Sequence, residues 1–401
     1  MLGAVSRQWG ARRAMTERSD LTSANWLDGP YNRIGLIRVA ELARTARISR
    51  GDGPILELPR NERDLASFLF EFEGEEFRWS KMLEDTYTDG LLVLHEGAVL
   101  CEHYSERMDA SDTHLLMSVS KSLNSTLCGV LAARDLVETE ALVTNYIDEL
   151  RGTAWDGCTI QHLLDMRAGV RWDYSRDEDV ICDVSGYRTH QRTDIAPDTV
   201  SWIRSIGRSC DHGGPFRYIS LANDVLGWVL ERAGGVRFAE LFGREIWSRI
   251  GAERDAEILL DSKGFSVVEG GICTTLRDLG RFGLMCLEDG ALAGRRVVPA
   301  PWLGRLRIRD RQLIDAFSGA PNYDAATPDA FYHDCWWIDD APRGVYSGLG
   351  INGQTLLVHH PSRTVIVKFS SHPEFEDARL FALQRAGMLA LCESLGAESD
   401  T

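Results

Sequence analysis

Lysine is nearly missing from this chain of 401 residues: Lys81, Lys121, Lys263 and Lys368 stand against 40 arginines. Other things are absent outright. No Cys-x-x-Cys pair occurs, and the nine cysteines are an odd, scattered set. That excludes a cysteine zinc site and a disulfide framework, and fits reduced thiols in a reducing compartment. There is no His-Glu-x-x-His, no Walker loop, no dinucleotide fingerprint and no Gly-x-Ser-x-Gly elbow, so neither metalloprotease, nucleotide-binding nor α/β-hydrolase chemistry is signalled. No apolar run approaches the length of a membrane span. Residues 1–18 carry arginines without an apolar stretch, unlike a secretory signal. The net charge of −16 disfavours nucleic acid and anionic membrane as partners. The expectation is a cytoplasmic protein acting on a small molecule; a homodimer is compatible with it.

What is present is ordinary in bulk: 44% hydrophobic and 26% charged residues, enough chain for a large core. Residues 1–25 are polar and unpatterned, and are expected to be flexible. Residues 62–83 have helical spacing (Leu65, Phe68, Leu69, Phe72). Two apolar runs around His95-Glu-Gly97 predict a β-hairpin over 90–104. From 136 to 264 the pattern is mostly helical, with clear helices at 159–166, 218–232 (ended by Gly234-Gly235) and 238–250. Residues 173–198, rich in Asp, Arg and Thr, read as a long loop. Strand-like runs return at 354–371 around a turn at His359-His360, whose polarity suits an exposed position, and a helix closes the chain near 376–395. Strands from both ends predict one sheet domain (26–135 and 265–401) carrying an inserted, mainly helical domain (136–264).

The chemical signal is Ser118-Val-Ser-Lys121 at the start of an amphipathic run. Positions i and i+3 of a helix share a face, so the lysine amine can meet the serine hydroxyl, as a Ser/Lys acyl-transfer nucleophile requires. Arginine cannot lose its proton in a protein, whereas lysine can. In a chain that prefers arginine, a lysine here looks chosen for chemistry. Of the four lysines only Lys121 has a serine three residues before it.

At Ser118-x-x-Lys121 the sequence resembles the serine β-lactamase and penicillin-binding-protein superfamily, and more closely the 6-aminohexanoate-dimer hydrolases (nylon oligomer hydrolases) and their esterase relatives. The likeness runs from about Trp26 through 83–89, 114–122, Asp165-Met166, Phe216-Arg-Tyr218, Arg277-Asp-Leu279, 348–354 and 365–371. It implies a β-lactamase/transpeptidase-like α+β fold, with an antiparallel sheet built from both chain ends, and a cofactor-free, metal-free serine hydrolase. By resemblance Ser118 is the nucleophile and forms an acyl-enzyme. Lys121 accepts or relays its proton, and Tyr218 is the second-motif tyrosine, held as phenolate or shuttling a proton to the leaving group. Read without the likeness, Tyr218 is a core aromatic and Ser220 a helix cap. Gly348-Leu349-Gly350 stands where the superfamily has Lys-Thr-Gly; the cation is gone, as in the nylon oligomer hydrolases. The backbone N–H groups of Ser118 and Ile351 would form the oxyanion hole. Asp183, Tyr187, Ser220, Glu269 and Asn352 are candidate substrate contacts. Asp183 would hold a substrate ammonium and Tyr187 cover its alkyl chain, though both also suit a solvated loop. Glu269 departs from the small polar residue, such as Asn, that the family carries there. The implied activity is cleavage of short linear amides or esters. The rivals are a β-lactamase or D-alanyl-D-alanine carboxypeptidase, a penicillin-recognising protein that acylates without turnover, and a silent relative.

Overall fold

The computed structural model describes residues 20–189, 193–320 and 327–399; part of the expected flexible N-terminal segment, residues 1–19, lies outside them. Its centre is a seven-stranded antiparallel sheet of β1 (Thr88–His95), β2 (Ala98–Tyr104), β3 (Phe331–His333), β4 (Trp336–Asp340), β5 (Val345–Gly350), β6 (Gln354–His359) and β7 (Thr364–Ser370), in the spatial order β3-β4-β5-β6-β7-β1-β2. Two strands come from the first third of the chain and five from the last, so the sheet is assembled from both ends as expected. The inner strand β7 is buried along its whole length, because both faces are covered. Its Val365, Val367 and Phe369 enter the larger core, and Ile366 enters a second core that includes Leu383, Met388 and Leu391 of the closing helix.

Among the helices are α1 (Val119–Ala132), α2 (Tyr174–Val184), α3 (Ser220–Gly234), α4 (Leu276–Leu287) and α5 (Ala378–Ser399), of which α2 and α5 line the main cavity beside this sheet. Helix α3 ends on Gly235 at φ 70°, a left-handed cap that glycine adopts without a Cβ clash. Helix α1 lies against β5 and α3, and α4 against β7, β6 and β1. A separate four-stranded sheet joins Thr45–Ile48, Ala256–Leu259, Ile272–Thr274 and His114–Leu115. Its last strand leads straight into α1.

Three local expectations are corrected. Residues 62–83 do not form one helix: Leu69–Phe72 and Glu75–Arg78 pair as a hairpin, followed by a helix at Trp79–Asp85. Phe70 and Phe72 point inward while Leu69 and Glu71 are exposed, a period of two. Glu73 and Gly74, at φ 53° and 80°, make the two-residue turn. Residues 173–198 are not one long loop. Helix α2 occupies most of the first half, its Val180, Ile181 and Val184 inward, and residues 190–192 lie outside the described set. His359 is buried rather than exposed, its Nδ1 within 2.8 Å of Ser362 Oγ across the turn.

Candidate active site

The site begins with a backbone kink. Met117, between the strand at His114–Leu115 and α1, has φ 48°. Such a conformation costs a residue with a Cβ roughly 1–2 kcal/mol and persists only where its surroundings impose it. It turns the chain so that Ser118 sits at the N-terminal end of α1, where helix dipole and free N–H groups favour negative charge. One turn on, Lys121 is fully buried and its Nζ donates to Ser118 Oγ at 2.7 Å.

The same ammonium donates to the Glu269 carbonyl at 2.7 Å and lies 3.4 Å from the Glu269 carboxylate. It stands 5.0 Å from the centre of the Tyr218 ring. Glu269 is itself held: its carboxylate accepts from Tyr187 Oη at 2.8 Å, and its N–H donates to Asp224 Oδ1 at 3.1 Å. Burial alone would lower the affinity of Lys121 for its proton. Tyr218, Glu269 and Glu178 together outweigh that, so the amine is held charged above the ordinary lysine range. Tyr218 also titrates above an ordinary phenol, because burial exceeds the pull of Lys121 and Ser118. Asp224 is pushed well above the carboxylate range by burial and by Glu269.

Tyr218 lies just before α3 and is wedged by aromatics, stacking on Trp337 at 5.7 Å with Phe216 and Tyr332 beside it. Opposite it, β5 passes α1 closely. A Cβ on Gly348 would come within 3.0 Å of Ser122 Oγ, and one on Gly350 within 2.6 Å of the Leu116 carbonyl and 3.0 Å of the Ser118 nitrogen. Only glycines let the strand come this near. The backbone of Gly350-Ile351 thereby adjoins that of Ser118, the neighbourhood an oxyanion hole requires.

Ser118, Tyr218, Gly350 and Ile351 all border one cavity of about 770 Å³, within the range of small-molecule sites. Tyr187 and Glu269 line it too. Asp183 and Asn352 do not: Asp183 is a buried residue of α2 rather than of a loop, and Asn352 spends its amide N–H on the His372 carbonyl. Ser220 sits one layer back and donates to Glu178 at 3.1 Å.

The cavity also contains residues that the sequence pattern did not single out. Tyr174, Glu178, Ile181 and Cys182 line it from one face of α2. Their spacing of i, i+4, i+7 and i+8 was visible in the sequence, hidden among Asp and Arg. Glu178, Asp179, Glu269, Asp339 and Glu376 make the lining acidic; among the described residues its one cationic side chain, Arg385, is paired with Asp339 at 2.8 Å. Burial pushes Glu178 up to about 7, against the pull of Lys121 and with help from Glu269. Elsewhere, Asp165, His333 and Asp334 cluster closely enough to hold a metal ion, but Arg305 supplies a positive charge there by pairing with Asp334 at 2.9 Å.

Comparisons with known proteins give the family and the fold. The model of the family described as Beta-lactamase matches residues 83–387. The 6-aminohexanoate-dimer hydrolase of Paenarthrobacter ureafaciens is 34% identical over 398 residues, covering 97% of this chain and 98% of that protein. A solved structure of a candidate 6-aminohexanoate-dimer hydrolase from Bacillus anthracis superposes with a TM-score of 0.87 at 24% identity, covering 94% of this chain and 97% of that one. A family VIII carboxylesterase shares the fold more distantly, with a TM-score of 0.56 at 15% identity over 78% of this chain and 97% of its own. The chain belongs to the beta-lactamase family, as a hydrolase related to 6-aminohexanoate-dimer hydrolase.

Proposed function

We propose that the protein is a serine hydrolase that cleaves amide or ester bonds of short linear substrates through an acyl-enzyme on Ser118. The observation that carries this is the 2.7 Å contact between Lys121 Nζ and Ser118 Oγ in a cavity walled by Tyr218. Ser118 Oγ attacks the carbonyl carbon. Its proton passes to the Tyr218 oxygen while the phenolic proton leaves with the amine or alcohol. This shuttle suits a tyrosine whose proton is held more tightly than usual. Lys121 acts as a fixed cation that stabilises charge developing on Ser118 and Tyr218, rather than as a free amine base. The N–H groups of Ser118 and Ile351 receive the oxyanion; such donors typically contribute about 3 kcal/mol each. Water then takes the place of the leaving group and the steps run in reverse.

The acidic lining favours a substrate bearing an ammonium group, and the dimer named for the relative carries one. Glu178, which lines the cavity, would receive it rather than Asp183, since the neighbouring Asp179 is already paired with Arg188 at 2.9 Å. On this reading residues 136–264 act as an inserted unit that brings Tyr218, Tyr187 and the acidic face of α2 to the sheet domain. A β-lactamase reading is weaker, since Gly348 stands where that chemistry uses a lysine and Arg385 is engaged by Asp339. The test is turnover of p-nitrophenyl acetate, the linear 6-aminohexanoate dimer and nitrocefin by the wild type and by Ser118→Ala. The reading expects the ester and the amide to be hydrolysed, nitrocefin slowly if at all, and all activity to vanish in the variant. Fast nitrocefin turnover would favour the β-lactamase, and one acyl group per chain without turnover a binding protein.

A further inference from the structure

A second hollow, of about 130 Å³, lies between α5 and the outer face of β4, β5 and β6. Trp337, Asp339, Leu349, Phe381 and Arg385 line both it and the main cavity, so the two spaces adjoin. Its floor is a row of cross-strand neighbours, Trp337, Ser347 and Leu357, with Leu349 and Thr355 beside them. Its roof is α5, through Phe381, Met388 and Leu389. The polar groups at its inner end are already satisfied: Gln384 donates to Thr355 at 3.1 Å and accepts from Lys368 at 2.9 Å. What remains to a ligand is mostly apolar wall, with the Asp339–Arg385 ion pair at the boundary shared with the main cavity. Leu349 and Gly350 turn to opposite faces of β5, so the hollow lies across the strand from Ser118, and Leu349 is a wall of both spaces. Trp337 divides the two spaces, stacking on Tyr218 while its side chain also borders the hollow.

We infer that this hollow is a subsite for an uncharged, unbranched aliphatic segment of the substrate, and so sets the chain length the enzyme prefers. The inference rests on the acyl-serine reading above. A comparable apolar cavity of about 150 Å³ holds benzene, so this one has room for a chain of about four to six carbons. Each methylene buried there should raise kcat/KM roughly fourfold. The chain can belong to the acyl half or to the leaving half of the substrate, and two ester series separate these. One is p-nitrophenyl esters from acetate to decanoate; the other is acetate esters of alcohols of increasing length.

The experiment measures kcat/KM across both series for the wild type, Ala382→Trp and Leu389→Trp. Ala382 is exposed, which lets an indole enter the hollow from the rim of α5; Leu389 is partly exposed and also packs on the second core, so the acetyl rate of each variant serves as its control for folding. One series should climb to about hexanoate or hexyl length and then level off. In both variants the ratio of long-chain to acetyl kcat/KM should fall at least about tenfold, by loss of two or more buried methylenes. A flat wild-type response in both series, or variants whose ratio matches the wild type, would overturn the subsite. Failure of the wild type to hydrolyse even p-nitrophenyl acetate would instead overturn the acyl-serine reading.

Discussion

Two of the four lysines are completely buried, and their surroundings drive them in opposite directions. Lys121 has Tyr218, Glu269 and Glu178 about it and is held charged above its ordinary range. Lys368, on β7, donates to the Thr86 carbonyl, Ser370 Oγ and Gln384 Oε1, which are neutral acceptors, and burial pulls it down to about 7 with Asp89 opposing. Burial is the same in both, so the partners decide the protonation state. One lysine is a cation aimed at the Ser118 hydroxyl. The other is a hydrogen-bond donor beside the second core, able to exist neutral at physiological pH.

If that contrast is correct, replacing the two has unlike consequences. Lys121→Ala should lower kcat for an ester at least about a thousandfold, because groups acting as one catalytic unit fail together. Lys368→Met should keep activity within a few fold and act on stability. The folded pKa of Lys368 lies below the unfolded value, so between about pH 7 and pH 10 the unfolded chain binds more protons. Wild-type stability should therefore rise across that window, by an amount on the order of 4 kcal/mol, and be level below it with respect to this group. Urea unfolding at several pH values should show this rise reduced by that amount in Lys368→Met. An unchanged slope would mean that Lys368 is charged in the fold.

Glu269→Gln sharpens the other half. Removing the carboxylate 3.4 Å from Lys121 should lower the pKa of the amine, since Glu269 is one of the charges that hold it up. A required cation is lost as pH rises through its pKa, so the alkaline fall in kcat/KM should move to lower pH while the neutral rate changes little. An unmoved alkaline limb would show that Glu269 does not hold the charge. Tyr187→Phe, which removes only the 2.8 Å donor to Glu269, should change kcat/KM by a few fold and shift the same limb slightly.

The contrast also marks what the sequence could reveal. Ser118 and Lys121 were legible because a helix brings i and i+3 together, and the resemblance carried Tyr218 and the β5 glycines. The opposite states of Lys121 and Lys368 were not, since they depend on Glu269 and Gln384, brought in by the fold. The hairpin at 69–78 was missed although Glu73-Gly74 repeats the Glu96-Gly97 turn that identified β1 and β2. Four large apolar residues at near-helical spacing, Leu65, Phe68, Leu69 and Phe72, outweighed that turn. Helix α2 was hidden by its charged outer face, and with it the placement of Glu178. Asp183 and Asn352 were polar and close to motifs in sequence, but their positions relative to the cavity depend on how α2 and the turn after β5 pack.

The central claim is that Ser118 carries the acyl group. The most direct measurement is peptide mass spectrometry of the protein quenched during p-nitrophenyl acetate turnover, alongside Ser118→Ala. The account predicts one acetyl group on the peptide containing Ser118, and neither adduct nor turnover in the variant. Hydrolysis that persists in Ser118→Ala, or an acetyl group found on another residue, would contradict it.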